Sequence, residues 1–464
     1  MYNRKESNKN SYYPAFLCME VDTPDFLDAL ACIPLDERTE AAFIHEYIHY
    51  LQDLTTITGH ARIETLVDQI KWAAGISTNH KKLRIPLDAS STYAFNMKPN
   101  YTSLNLCKGD LKVKNVHGRF TPHIEEIILF QLENSRINLP NGINVHSDVR
   151  ATLLFKDESG FQHKYVVGEL AISESMAYLI ENMMYNQTLQ EGSDCPYKVV
   201  QKIIEWKLSR RFDNLTLIAL CDVCLMYSLP GKVLYHLLEF LKTYNGKITP
   251  ALIYIYGLGP NVSKLFNRTG CWNLEFKKVL YESKRQFYDY FNHPEWNHIK
   301  DAVTVIYDSA LELRLNNPTF FLDIASGGRL YTNRAFKKAL SMVGCLSIKT
   351  SRNLVYNISP INYVGQYVDA DWFISLHQLY NILFTSDAIK KDNNGTNHIE
   401  KNCELKDWCH NCFIQKGEFD ITQNSRNCKY EPWLNVSPDI LERCSFGRLW
   451  AAYGFDRIKL KPKG

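Results

Sequence analysis

The sequence predicts an α+β protein, predominantly helical, with a β-rich insertion and a cysteine-rich C-terminal module. Three observations carry that prediction. Apolar residues recur at helical spacing from about residue 36 to 76 and again from 168 to about 245. Between these stretches, residues 83–167 turn to short apolar clusters among polar and turn residues. Beyond the polar stretch Lys390-Lys391-Asp392-Asn393-Asn394-Gly395, Cys403, Cys409, Cys412 and Cys428 fall within twenty-six residues. A 464-residue chain is long enough for two or three domains, and these shifts divide it into 1–260, 261–390 and 391–464.

Taken in order, Phe16 to Val21 reads as a strand. Pro34 then precedes a helix cap at Asp36, and Glu37 and Glu40 complement the positive end of that helix. Ala41, Ala42, Phe43, Ile44, Ile48 and Leu51 supply helix formers and apolar faces, with Gly59 as the expected stop. Residues 60–76 continue helical. Within the insertion, 124–134 reads as a helix. Residues 152–155 and 164–167 read as the arms of a hairpin whose turn is Asp157-Glu158-Ser159-Gly160. Further helices are expected over 169–190, 196–210, 213–227, 231–244, 275–292, 296–315 and 371–388.

Composition narrows the function. A net charge of +3 argues against nucleic acid or an anionic membrane as partner. The polar stretch Met1–Pro14 has no signal-peptide core, and the most apolar window, Leu215–Leu229, is too short to span a bilayer and carries Asp222. Thirteen cysteines without a small-scaffold rhythm fit a reducing compartment, so the expected location is cytoplasmic. A phosphate-binding Gly-x-x-x-x-Gly-Lys-Ser/Thr loop and a Gly-x-Ser-x-Gly elbow are both missing. Gly257-Leu258-Gly259 reads as a turn.

The chemistry concentrates in His45-Glu46-Tyr47-Ile48-His49. On a helix, His45 and His49 stand one turn apart on one face and can reach the same metal ion. Glu46 is placed beside the ion's open position, where it can act as a general base on water. Chance supplies such a pentad roughly 0.02 times in a chain of this length and composition. The rival explanation is a pair of buried histidines satisfied by backbone carbonyls. It would require several partners to offset the desolvation of two imidazoles and a carboxylate.

The pentad resembles that of the zincin metallopeptidases. The metzincin continuation needs Gly at 52 and His at 55, whereas this chain has Gln52 and Thr55. The gluzincin branch takes a Glu from a second helix, and Glu174, followed by Ser175 and Ala177, resembles the Glu-small-x-Ala pattern of that branch. Gluzincins often carry Asp four residues after this ligand, where this chain has Tyr178. The resemblance implies a zincin-like catalytic core within 1–260 and a Zn2+ ion held by His45, His49 and Glu174. It also implies peptide-bond hydrolysis with Glu46 as base. Glu169, Asp222, His60 and His163 remain alternative third ligands. Glu169 points about 140° away from Glu174 on a helix, so only one of the two can face the ion. Asp53 and Gln52 are candidates to orient a ligand imidazole, and Tyr178 and Tyr47 to stabilise an oxyanion.

Cys403, Cys409, Cys412 and Cys428 match the demands of a tetrahedral structural zinc, with His398 and His410 as nearby substitutes. Free thiols are the competing interpretation and a redox disulfide the third. Cys221 and Cys224 lie in an apolar helical run and read as core. The expected partners are a peptide or protein substrate and a regulatory protein. The alternatives are a non-catalytic interaction protein on a zincin scaffold and a nucleic-acid-associated factor using the cysteine module.

Overall fold

Asp36 starts the helix as its sequence requires. In the computed structural model its carboxylate accepts the Thr39 N–H at 3.0 Å and the Thr39 hydroxyl at 2.6 Å. The structure describes residues 10–23, 36–79, 81–87, 108–113, 122–138, 144–185, 193–260, 262, 271–364, 366, 368–392, 395–409, 421–435 and 444–463. Strands β1 (Ser11–Tyr13) and β2 (Cys18–Val21) lead to α1 (Glu37–Thr55), α2 (Ile57–Asn79) and β3 (Lys82–Ile85). The insertion holds β4 (Glu126–Asn138), β5 (Asn144–Lys156) and β6 (Gln162–Val167). A helical stretch follows: α3 (Glu169–Met184), α4 (Val199–Leu208), α5 (Asn214–Leu225), α6 (Pro230–Thr243), α7 (Pro250–Gly257), α8 (Trp272–Tyr290), α9 (Asn297–Asn316), α10 (Phe320–Ser326) and α11 (Arg334–Val343). Then come β7 (Cys345–Thr350), β8 (Val355–Ile358), α12 (Ala370–Phe384), β9 (Ile389–Lys391), β10 (Asn397–Ile399), α13 (Ile421–Tyr430), α14 (Ser445–Ala452) and β11 (Lys459–Pro462). The fold is α+β and mostly helical.

Every residue of α1 from Glu40 to Thr55 is buried. Helices α2, α3 and α9 and strands β1 and β2 all contact it. A helix enclosed on all sides is normally apolar throughout. This one carries two His, Glu46, Gln52 and Asp53 into the interior, and each must find a partner there. Gly59 does not stop the helix as expected. The break falls at Thr56, which is extended, and Gly59 lies inside α2. A Cβ at Gly59 would collide with the backbone of Gln52 and Asp53, so glycine is what lets α2 fold back tightly on the end of α1.

The insertion departs from expectation at 124–134, which is not helical. Ile127, Ile128, Leu129 and Phe130 extend along β5, and Phe130 is buried against Tyr235 of α6 at 5.8 Å between ring centroids. Cross-strand pairing overrides the local helical spacing. The predicted hairpin forms between β5 and β6. Gly160 takes φ +79° in its turn, and its N–H donates to Asp157 O at 2.9 Å.

Strand order is β4-β5-β6 in the insertion and β1-β2-β7-β8 in a second sheet. The N-terminal strand therefore does not join the insertion. Cys18–Val21 pairs parallel with Ser347–Thr350 of β7, a strand that hydrophobic patterning had not marked. Lys390 and Lys391 of the expected linker lie in β9, which pairs antiparallel with β10, and Gly395 takes φ +76°. β11 runs parallel to β3, and α14 packs on α12. Buried apolar residues from Tyr12 to Phe455 form one contiguous cluster. Among the described residues no helix is long and apolar enough to cross a membrane.

Candidate metal centre

One face of α1 presents His45 and His49, and α3 crosses it carrying Glu174. The two Nε2 atoms are 3.3 Å apart. Glu174 Oε2 lies 3.3 Å from His45 Nε2 and 3.5 Å from His49 Nε2. Donors bonded at about 2.0–2.1 Å around a tetrahedral ion stand about 3.3–3.4 Å from one another. The triangle thus has the dimensions of three ligands sharing one ion. Among the described residues it is the group of three or more His, Cys, Asp or Glu donors close enough to hold a metal.

The far side of each imidazole is also held. His45 Nδ1 is 2.9 Å from Glu181 Oε2, and His49 Nδ1 is 2.9 Å from Gln52 Oε1. With each Nδ1–H donated to these acceptors, both Nε2 lone pairs point at the shared position. Gln52 in turn donates from Nε2 to Ser173 O at 3.2 Å, fastening α1 to α3 beside the site. Glu181 stands two helical turns beyond Glu174 on α3. The sequence reading missed it, because its role depends on where α3 crosses α1.

The electrostatics favour a cation at this point. Burial opposes charge on His45, yet Glu181 at one nitrogen and Glu174 at the other raise its pKa to about 10. Burial likewise opposes the Glu174 carboxylate, but His49 and His45 hold its pKa well below the usual carboxylate range. His45 and Glu181 are shut away from solvent, whereas the Glu174 side chain keeps 21% exposure. The site therefore opens on the Glu174 side.

Glu46 is buried beside the ligands, and its Oε2 accepts the Tyr12 N–H at 2.6 Å. The Tyr12 ring lies nearly parallel to His49, with centroids 6.5 Å apart. Asp53 neither orients an imidazole nor meets solvent. It accepts the Tyr12 hydroxyl at 2.6 Å and the Ala15 N–H at 2.7 Å, and pairs with Arg62.

The alternative third ligands are engaged elsewhere. Glu169 pairs with Arg62, and Asp222 is clamped by Arg314 at 2.6 and 2.9 Å. His60 is buried with Nε2 on Leu54 O at 3.0 Å, and His163 is 2.7 Å from Asp157. Of the tyrosines, Tyr47 is buried and donates to Gly344 O at 3.1 Å, away from the ligands. Tyr178 packs on Tyr197 at 5.4 Å, and Tyr197, unremarked in the sequence, stands 6.2 Å from the His45 ring.

Cys403, Cys409 and Cys428 are free thiols, and Cys412 lies outside the described residues. Cys221 and Cys224 are buried core, as expected. No family model matches the chain, and comparison with curated proteins and with solved structures returns no match.

Proposed function

We propose that this protein is a zinc-dependent metallopeptidase of gluzincin-like design, acting on a peptide or protein substrate in the cytoplasm. The observation that carries the proposal is the His45–His49–Glu174 triangle, with edges of 3.3 to 3.5 Å, set directly beside Glu46. Two imidazoles and one carboxylate suit a catalytic zinc, leaving a position open for water and substrate. When bound there, zinc supplies a Lewis acid that polarises the scissile carbonyl and acidifies water.

This chain's own groups do the rest. Glu46, held through one oxygen by the Tyr12 N–H, takes the proton from the attacking water and delivers it to the departing amine. Tyr197, whose ring centroid stands 6.2 Å from that of His45, is the nearby phenol proposed to donate to the developing oxyanion, with Tyr178 packed against it. The partial exposure of Glu174 marks where substrate enters.

Metal analysis combined with a peptide-library assay tests the reading. Glu46→Gln should abolish cleavage while retaining zinc, and His45→Ala/His49→Ala should lose both. Full cleavage by Glu46→Gln would overturn the mechanism. A second reading, a metal-binding interaction protein without hydrolysis, is favoured by the hydrogen bond that already occupies Glu46. Zinc binding with no cleavage across the library would select it.

A further inference from the structure

Apart from the metal centre, solvent-facing apolar side chains converge on one cavity. It has a volume of about 700 Å³ and lies between α11, the turn at Leu330 and Tyr331, and the stretch from Ile358 at the end of β8 to Val364. We propose that this cavity binds a medium-chain carboxylic acid, with the aliphatic tail along its apolar walls and the carboxylate on Lys337. The site is separate from the chemistry above and does not depend on it.

The walls follow from the sequence of α11. Phe336, Ala339, Leu340 and Val343 are buried, whereas Arg334, Lys337, Lys338 and Ser341 face solvent. Phe336 and Leu340, one turn apart, line the cavity where the two faces meet. The start of this helix is fixed, because Asn333 Oδ1 accepts the Phe336 N–H at 2.9 Å and Asn333 Nδ2 donates to Ile324 O at 2.7 Å. The neighbouring turn is tied to α1 through Tyr185, whose hydroxyl accepts the Leu330 N–H at 3.0 Å and donates to Glu40 at 3.0 Å. These walls are therefore formed before any ligand arrives. At the mouth, Ile361 and Val364 are 63% and 70% exposed, and Tyr331 is exposed beside them. Single apolar residues in water are ordinary, but three around one apolar cavity make a patch that is stabilised by being covered.

The polar groups select the occupant. Lys337, Ser341 and Ser359 are the polar side chains of the lining, and no Asp or Glu stands among them. Among the described residues Lys337 makes no ion pair, and neither do Arg334 and Lys338 next to it on α11. Ser359 Oγ accepts from Asn357 Nδ2 at 3.1 Å, which leaves its own proton to donate. An unpaired ammonium and a free hydroxyl proton on one apolar cavity complement a carboxylate carried on an apolar body. A peptide would bring main-chain N–H and C=O groups that need partners, which apolar walls do not provide. An aliphatic tail needs none. The floor also touches the metal-binding helix, since Phe336 packs on Phe43 at 6.2 Å and on Tyr47 at 5.4 Å between ring centroids.

Calorimetric titration of the full chain with dodecanoate, kept below micelle-forming concentrations, tests the proposal. Saturable binding at a single site is expected. Shortening the tail should weaken it about threefold for each methylene removed, and dodecyltrimethylammonium, with the same tail and the opposite charge, should not compete. Lys337→Gln should weaken dodecanoate about tenfold. Ile361→Asp should weaken it at least as much, and because this side chain is exposed the urea midpoint should stay where it was. His45→Ala/His49→Ala should bind dodecanoate as wild type does, which separates this site from a carboxylate on the metal. Should that variant not fold, wild type titrated with a chelator present takes its place. Absence of saturable binding, equal affinity for dodecyltrimethylammonium, or unchanged affinity in either Lys337→Gln or Ile361→Asp would each overturn the proposal. So would loss of binding when the metal centre is removed. Binding to anionic vesicles that Ile361→Asp abolishes, with no binding of dodecanoate, would assign the patch to a lipid surface and overturn it as well.

Discussion

At the site, each residue's role follows from which of its atoms is already spoken for. His45 and His49 each commit Nδ1 to an acceptor, and this leaves Nε2 for a metal. Glu181→Gln should therefore lower zinc affinity about 10- to 100-fold without removing a ligand, as read by competition with a chromophoric chelator. Glu174→Ala should weaken binding further, while Glu169→Ala, which breaks a buried ion pair, should reduce stability instead. His60, once a rival ligand, makes a different prediction. Burial pushes its pKa down to about 4, against about 6.5 in an unfolded chain. Below 6.5 the unfolded state takes up a proton that the native state refuses. The contribution of His60 to stability therefore declines as pH falls from 6.5 to 4, by up to about 3 kcal/mol. His60→Gln stays neutral throughout, so urea unfolding should show it closing on wild type across that window. A constant difference between the two would refute the assignment. The pentad and Glu174 were legible because helical periodicity alone fixes which of their side chains share a face. Glu181 was not, since an acid two turns along another helix acquires its role only from the crossing of α3 over α1.

Between elements, Arg62 is the joint. It reaches from α2 to Asp53 at the end of α1 and to Glu169 at the start of α3, and all three side chains are buried or nearly so. Asp53 also takes two hydrogen bonds from the β1–β2 region, so this network fixes three helices and a strand around the ligands. Arg62→Met would leave two carboxylates in the interior without a counter-charge. Loss of about 3–5 kcal/mol is expected, read from the urea midpoint, with zinc affinity reduced in parallel as α1 and α3 loosen. Long helices were read from the sequence to within a few residues, their apolar faces being local information. Residues 124–134 were misread and β7 was missed because a strand's partner lies elsewhere in the chain. β2 finds its partner more than three hundred residues away.

Across the whole molecule, the candidate centre exists only when distant parts of the chain are folded together. His45 and Glu174 are 129 residues apart, and the β2–β7 pairing ties the segment ahead of α1 to residues 347–350. An unfolded chain offers zinc the two histidines of one turn and no fixed carboxylate, so the ion should bind the native state far more tightly. Each tenfold rise in free zinc above the dissociation constant should then add about 1.4 kcal/mol to unfolding, reaching about 2.7 kcal/mol at a hundredfold excess. The zinc-dependent gain should persist in Glu46→Gln, which spares the ligands, and vanish in His45→Ala/His49→Ala. An equal gain in all three proteins would mean that zinc stabilises the fold from somewhere other than α1 and α3.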